Sequence, residues 1–181
     1  MKDLHPGDIL LVADGRSIVA KGITEFMRQY CQINGYAYKR LYHHAAMVIR
    51  YEGSIAIAEA LGRGWVIHSV EDAYTPDEYD RRVDVFRPRH DWAEREIKLL
   101  SRYAQEFNKK VTRYDYMNFL FQMYMIYTGV WVGPSGARAE GRLYCSEGVA
   151  TIINRVRSYM CEEPWRYNPM DLYLEPTIIQ V

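Results

Sequence analysis

Cys145 lies within residues 143–150, LYCSEGVA, just after a glycine-rich stretch and at the start of a segment of helical periodicity. A thiol there meets free backbone N–H groups and the positive end of a helix dipole, both of which favour the thiolate. A thiolate can attack a carbonyl carbon when a base stands within hydrogen-bond reach. His5, His43, His44, His68 and His90 are the candidate bases. Free cysteines are also common inert packing residues, so the choice rests on whether a base is supplied.

His43 and His44 open the run HHAAMVIRY, which predicts a strand by its length and apolar content. Glu59 stands in SIAIAEAL, which predicts the returning strand across a tight Glu52-Gly53 turn. If Tyr51 and Ser54 flank that turn, His44 stands opposite Leu61, with Glu59 on the diagonal two positions away. His44 and Glu59 then project from one face of the sheet and His43 from the other. A carboxylate so placed can hold the imidazole tautomer and support the imidazolium. A slip of one residue would exchange the two histidines.

The elements that must position these groups follow from the punctuation of the chain. Pro6-Gly7-Asp8 turns into the strand ILLVA, and residues 17–30 carry apolar side chains at helical spacing up to the Asn34-Gly35 stop. Gly62-Arg63-Gly64 turns into a third strand, WVIHSV. The polar residues 71–82 read as a loop before the short strand VDVFRP. Asp91 is the expected cap of the helix WAEREIKLLSRYAQEF. Residues 114–127, YDYMNFLFQMYMIY, read as a buried helix, residues 129–141 as a loop, and LYCSEGVATIINRV as the helix that Cys145 begins. A short helical turn is expected in YNPMDLYLEP. The sum is an α+β domain spanning 1–181, with no internal repeat or linker.

Several of these segments, in this order, resemble a known family: GDILLV, HAAMVI on a strand, EA on the next, YDY, YCSEGVA and NPMDLY. The series is similar to the circularly permuted branch of NlpC-like cysteine peptidases, the YiiX/YebB-like proteins. The resemblance implies a permuted papain-like fold, with a small antiparallel sheet or partial barrel packed against helices and a nucleophile at a helix N-terminus. It implies that Cys145 is the nucleophile, His44 the base and Glu59 the third member. His43 stands where the family usually has a small hydroxyl residue, a departure that bears on which histidine acts. Tyr114, in YDY, matches a tyrosine near the family's active site, and the resemblance implies a role for it in substrate binding or at the oxyanion pocket. Hydrolysis of a peptide-like amide, often in bacterial cell-wall peptides, is the implied activity, with no metal and no organic cofactor. A lecithin–retinol acyltransferase-like group built on the same permuted core implies the alternative, acyl transfer or lipid thioester hydrolysis. A non-catalytic binding or structural module that kept the fold is the third reading.

Composition bounds the rest. The chain has 49% hydrophobic and 25% charged residues and no net charge, as in ordinary globular proteins, so no overall field argues for nucleic acid or an anionic surface. Three cysteines without framework or zinc-ligand spacing fit a reducing compartment. Cys31 and Cys161 read as structural thiols, and Trp131 and Trp165 as packing residues. No run of apolar residues is long enough for a transmembrane segment. The lack of a signal-peptide pattern predicts a cytoplasmic location by default, with a phage particle, lysis or a secretion machine as the route for a wall-directed enzyme. The oligomeric state is not legible.

Overall fold

β-branched and other apolar residues fill the first strand, β1 (Ile9–Ala13), on both faces, which makes it the middle of a sheet rather than an edge. The computed structural model describes residues 3–130, 132–133, 142–158 and 163–181. In it β1 pairs antiparallel with β2 (Tyr42–Tyr51) on one side and β5 (Val83–Pro88) on the other. β2 continues into β3 (Ser54–Leu61) and β3 into β4 (Gly64–His68), while β8 (Ile178–Gln180) adds to β5. The result is an open six-stranded antiparallel sheet in the order β4-β3-β2-β1-β5-β8.

The β2–β3 turn fixes the register on which the site depends. Glu52 and Gly53 have φ of 50° and 82°, the doubly positive pair that a two-residue turn between twisted strands requires. Tyr51 therefore faces Ser54, and the ladder runs back to Ala46 opposite Glu59.

Alternation sorts the strand residues between two layers. Ile9, Leu11, Met47, Ile49, Ala58 and Trp65 join the larger core with the helices α1 (Ile18–Asn34), α4 (Glu94–Lys110), α6 (Cys145–Val156) and α7 (Pro169–Leu174). Leu10, Val12, Ala46, Val48 and Ile57 face the other way, against Val70 of α2 (Val70–Ala73) and Tyr79 of α3 (Pro76–Arg82). A small parallel pair, β6 (Arg113–Tyr114) and β7 (Arg142–Leu143), leads into α5 (Tyr116–Thr128) and α6 respectively. The architecture is α+β, as the sequence predicts. Among the described residues no helix is long and apolar enough to cross a membrane.

Three local expectations differ from the structure. Residues 71–82 are not a loop but two short helices, capped by the Ser69 and Thr75 hydroxyls on the backbone N–H of Asp72 and Glu78. Asp91 does not cap α4; Ala93 occupies the N-cap, and the Glu96 carboxylate accepts its N–H at 2.8 Å. The third concerns residues 114–127. Tyr114 belongs to a strand, and the helix α5 that follows is not buried by its apolar residues. Tyr116, Met117, Leu120, Tyr124 and Tyr127 are between 47% and 59% exposed, whereas Asn118 and Gln122 point inward. Both inward amides donate a hydrogen bond, Asn118 to the Trp165 carbonyl and Gln122 to the Tyr144 hydroxyl. That polar anchoring, with Asp115 as N-cap, turns the apolar stripe outward.

α6 is set deep in the molecule, its residues from Cys145 through Ile153 all buried. Gly148 allows the close approach, since a Cβ there would lie 2.2 Å from the Trp65 ring of β4. Gly148→Ala should therefore force apart the helix that carries Cys145 and the sheet. A loss of about 1–3 kcal/mol is expected, seen as a lower urea midpoint at unchanged slope.

Candidate active site

Glu59 is a carboxylate inside a sheet, 3% exposed. Such a charge is tolerated only when partners replace the lost water. The ladder supplies two. Glu59 faces Ala46 on β2 and Val66 on β4, and His44 and His68 each lie two positions along from those residues, on the same face. The His44 Nε2 bonds Glu59 Oε2, and the His68 Nε2 bonds Glu59 Oε1 at 2.6 Å. Burial alone would raise the Glu59 pKa, but the hydrogen bonds from both imidazoles outweigh it and hold the carboxyl down at about 2.

With Nε2 committed to Glu59, Nδ1 is the nitrogen that His44 has left for a bond to the neighbouring Cys145 sulfur. Burial opposes the imidazolium, yet the Cys145 thiolate and this bond, with Glu59 behind, push His44 up to about 10. The converse holds for the sulfur. Burial opposes the thiolate, and the charge and hydrogen bond of His44 together with the Ala45 backbone N–H and the Tyr114 hydroxyl bring Cys145 below an ordinary thiol. Thiolate and imidazolium are a pair whose protons belong to both.

Tyr114 is placed by the β6–β7 pairing, next to Leu143 and two residues before the thiol. Its hydroxyl donates to Cys145 Sγ at 3.8 Å. Burial, then the thiolate, push the phenol far above its ordinary value, so it stays protonated. The Glu147 carboxyl, one turn into α6, is raised by burial to about 8. It is therefore neutral near pH 7 and places no opposing charge beside the sulfur.

The structure thus brings Cys145, His44, Glu59 and Tyr114 together. His43 takes no part in the bonds to Glu59. Its ring packs against Gly15, where a Cβ would come within 2.7 Å of it, and burial lowers its pKa to about 4. His68 is absent from the set the sequence singles out. The arithmetic that pairs His44 with Glu59 would have found it if carried across the Gly62-Arg63 turn. Trp131, Cys161 and most of the 129–141 stretch lie outside the described residues.

A cleft of about 570 Å³ opens on this cluster, a size suited to a small-molecule or peptide segment. His44, Glu59, His68 and Tyr114 line it, while Cys145 itself is 3% exposed. Its lining includes the apolar side chains of Val19, Ile23, Tyr116 and Phe119 and the charged ones of Arg63, Asp72, Glu78 and Arg82.

No protein-family model matches the chain, and no curated protein matches it in sequence. Among solved structures, the crystal structure of the metalloprotein YiiX from Escherichia coli O157:H7 superimposes with a TM-score of 0.63 at 16% identity. The match covers 97% of this chain and 95% of that one. The two share a fold. That protein is described as a metalloprotein. Here both oxygens of Glu59 are taken by imidazoles, and among the described residues no group of three or more His, Cys, Asp or Glu side chains is arranged to hold a metal ion.

The thiols give a direct test of the site's electrostatics. Burial, aided by Asp171, raises Cys31 to about 11, whereas Cys145 is held below an ordinary thiol, so Cys145 should carry the larger share of thiolate at neutral pH. Iodoacetamide followed by peptide mass mapping should label Cys145 well ahead of Cys31. Equal labelling would remove the ion pair.

Stability should also follow the carboxylate. A folded pKa held near 2, below the ordinary carboxylate value, means that Glu59 stabilises the fold above about pH 4.5, and that this is lost as pH falls towards 2. Glu59→Gln should flatten the acid limb of the melting temperature plotted against pH.

Proposed function

We propose that the protein is a cysteine hydrolase that cleaves a peptide-like amide. The observation that carries this reading is the chain of contacts from Cys145 to His44 to a buried, doubly bonded Glu59. Support also comes from the order of the elements, with histidine-bearing strands preceding the cysteine helix, as a permuted NlpC-like peptidase of the YiiX/YebB kind would have. The fold shared with YiiX supports a YiiX-like relation.

In this reading the Cys145 thiolate attacks the carbonyl carbon, and the C=O electron pair moves onto oxygen. The Cys145 N–H, an unsatisfied group of the first helical turn, and the Tyr114 hydroxyl are the donors for that oxyanion. The imidazolium of His44 gives its Nδ1 proton to the leaving nitrogen as the C–N bond breaks, which leaves a thioester on Cys145. His44, now neutral, takes a proton from water, whose oxygen attacks the thioester and releases the acid. Glu59 holds the ring orientation through both steps.

A second reading has its own support. The outward apolar stripe of α5 begins at Tyr116, which also lines the cleft beside Phe119, Val19 and Ile23. A substrate bearing an acyl chain would find an apolar path to the same thiol, and the reaction would then be thioester formation with a lipid donor.

Digestion of purified peptidoglycan, with fragments read by mass spectrometry, is the test of the first reading. Release of peptides by the native protein is expected, and Cys145→Ala should lose it by several orders of magnitude (roughly 10³ or more) while melting at the same temperature. Undiminished release by the alanine variant would remove Cys145 from the reaction. An acyl adduct on Cys145 with lipid donors, and no peptide release, would select the second reading.

A further inference from the structure

His68 closes β4 at the rim of the cleft and is mostly buried, its side chain 16% exposed. Nothing in the chemistry just described uses it. Yet among the described residues it makes the one side-chain hydrogen bond that joins the Glu59 carboxylate to the edge strand β4, from Nε2 to Oε1 at 2.6 Å.

A glutamate carboxylate turns easily about its last torsion, whose preferences are broad. With His44 as the sole partner, Glu59 could turn, offer either oxygen, and leave the other buried and unsatisfied. A second donor on the far oxygen removes that freedom. The two imidazoles approach from opposite neighbours, β2 and β4, so the carboxylate plane is fixed from both sides. The other ionisable groups that face this cluster are Cys145 from α6, Tyr114 from β6 and Tyr74 after α2.

We infer that His68 is a positioning residue, which pins Glu59 so that the carboxylate keeps His44 aimed at the Cys145 sulfur. The inference rests on the reading of Cys145 as a thiolate nucleophile. His68 touches no reacting atom; its effect passes through Glu59 and then His44.

Two polar substitutions separate position from mere presence. His68→Gln sets an amide N–H near the place of Nε2, within reach of Glu59. His68→Asn sets one near Nδ1, out of reach. The readout is the rate of Cys145 alkylation by iodoacetamide from about pH 5 to about pH 9, followed by intact mass, with folding checked by circular dichroism. His68→Gln should keep the native profile. His68→Asn should alkylate about tenfold more slowly near pH 6, the equivalent of losing one hydrogen bond to a charged group, with its midpoint moved towards that of an ordinary thiol.

In a Glu59→Gln background the same His68→Asn change should have no further effect, because the path through Glu59 is already cut. A His68→Asn profile that coincides with the native one, or a full additional loss in the Glu59→Gln background, would overturn the inference. A native profile like that of an ordinary thiol is a different failure. It would sink the nucleophile reading itself, and this inference with it.

Discussion

A negative charge buried in a sheet is the constraint around which this molecule is organised. Glu59 has almost no contact with water, and a buried carboxylate without partners costs several kcal/mol. Its partners sit on the strands to either side, so the charge is tolerated only when β2, β3 and β4 hold their present register. A slip of one residue on either side would turn an imidazole to the opposite face and leave the carboxylate bare. Site chemistry and strand pairing are therefore one requirement.

The second half of the site comes from a helix that has to reach the sheet closely. Gly148 makes room for the Trp65 ring, and the apolar residues of α6 then lock the helix against the strands. This places the first residue of α6, Cys145, beside the Ala45 N–H and the His44 ring. Opposite charges settle on sulfur and imidazole because each is desolvated and each is the other's nearest compensation. Tyr114, delivered by a two-residue strand, closes the remaining side with a neutral donor.

Much of this was legible in the sequence, for physical reasons that differ from residue to residue. Glu52-Gly53 dictates a two-residue turn, and counting outward from it reaches the His44–Glu59 diagonal without any structure. His68 required only a second count, across Gly62-Arg63. The helices α2 and α3 were announced by Ser69 and Thr75, each with an acidic residue three positions on, a capping pattern hidden by the polarity of the segment. α5 was not legible. Its apolar composition suggests burial, whereas its orientation is set by the Trp165 carbonyl and the Tyr144 hydroxyl, which no local pattern links to Asn118 and Gln122.

The strands that carry His44, Glu59 and His68 are consecutive in the chain, while Cys145 comes after two further layers of helix and strand. During synthesis the sulfur emerges long after its base, on a helix that has yet to dock. Until α6 packs on the sheet, the thiol has no imidazolium beside it and behaves as any cysteine. On the proposed reading, the special reactivity of Cys145 is thus a product of completed folding, and an unfinished chain carries it only as an ordinary thiol.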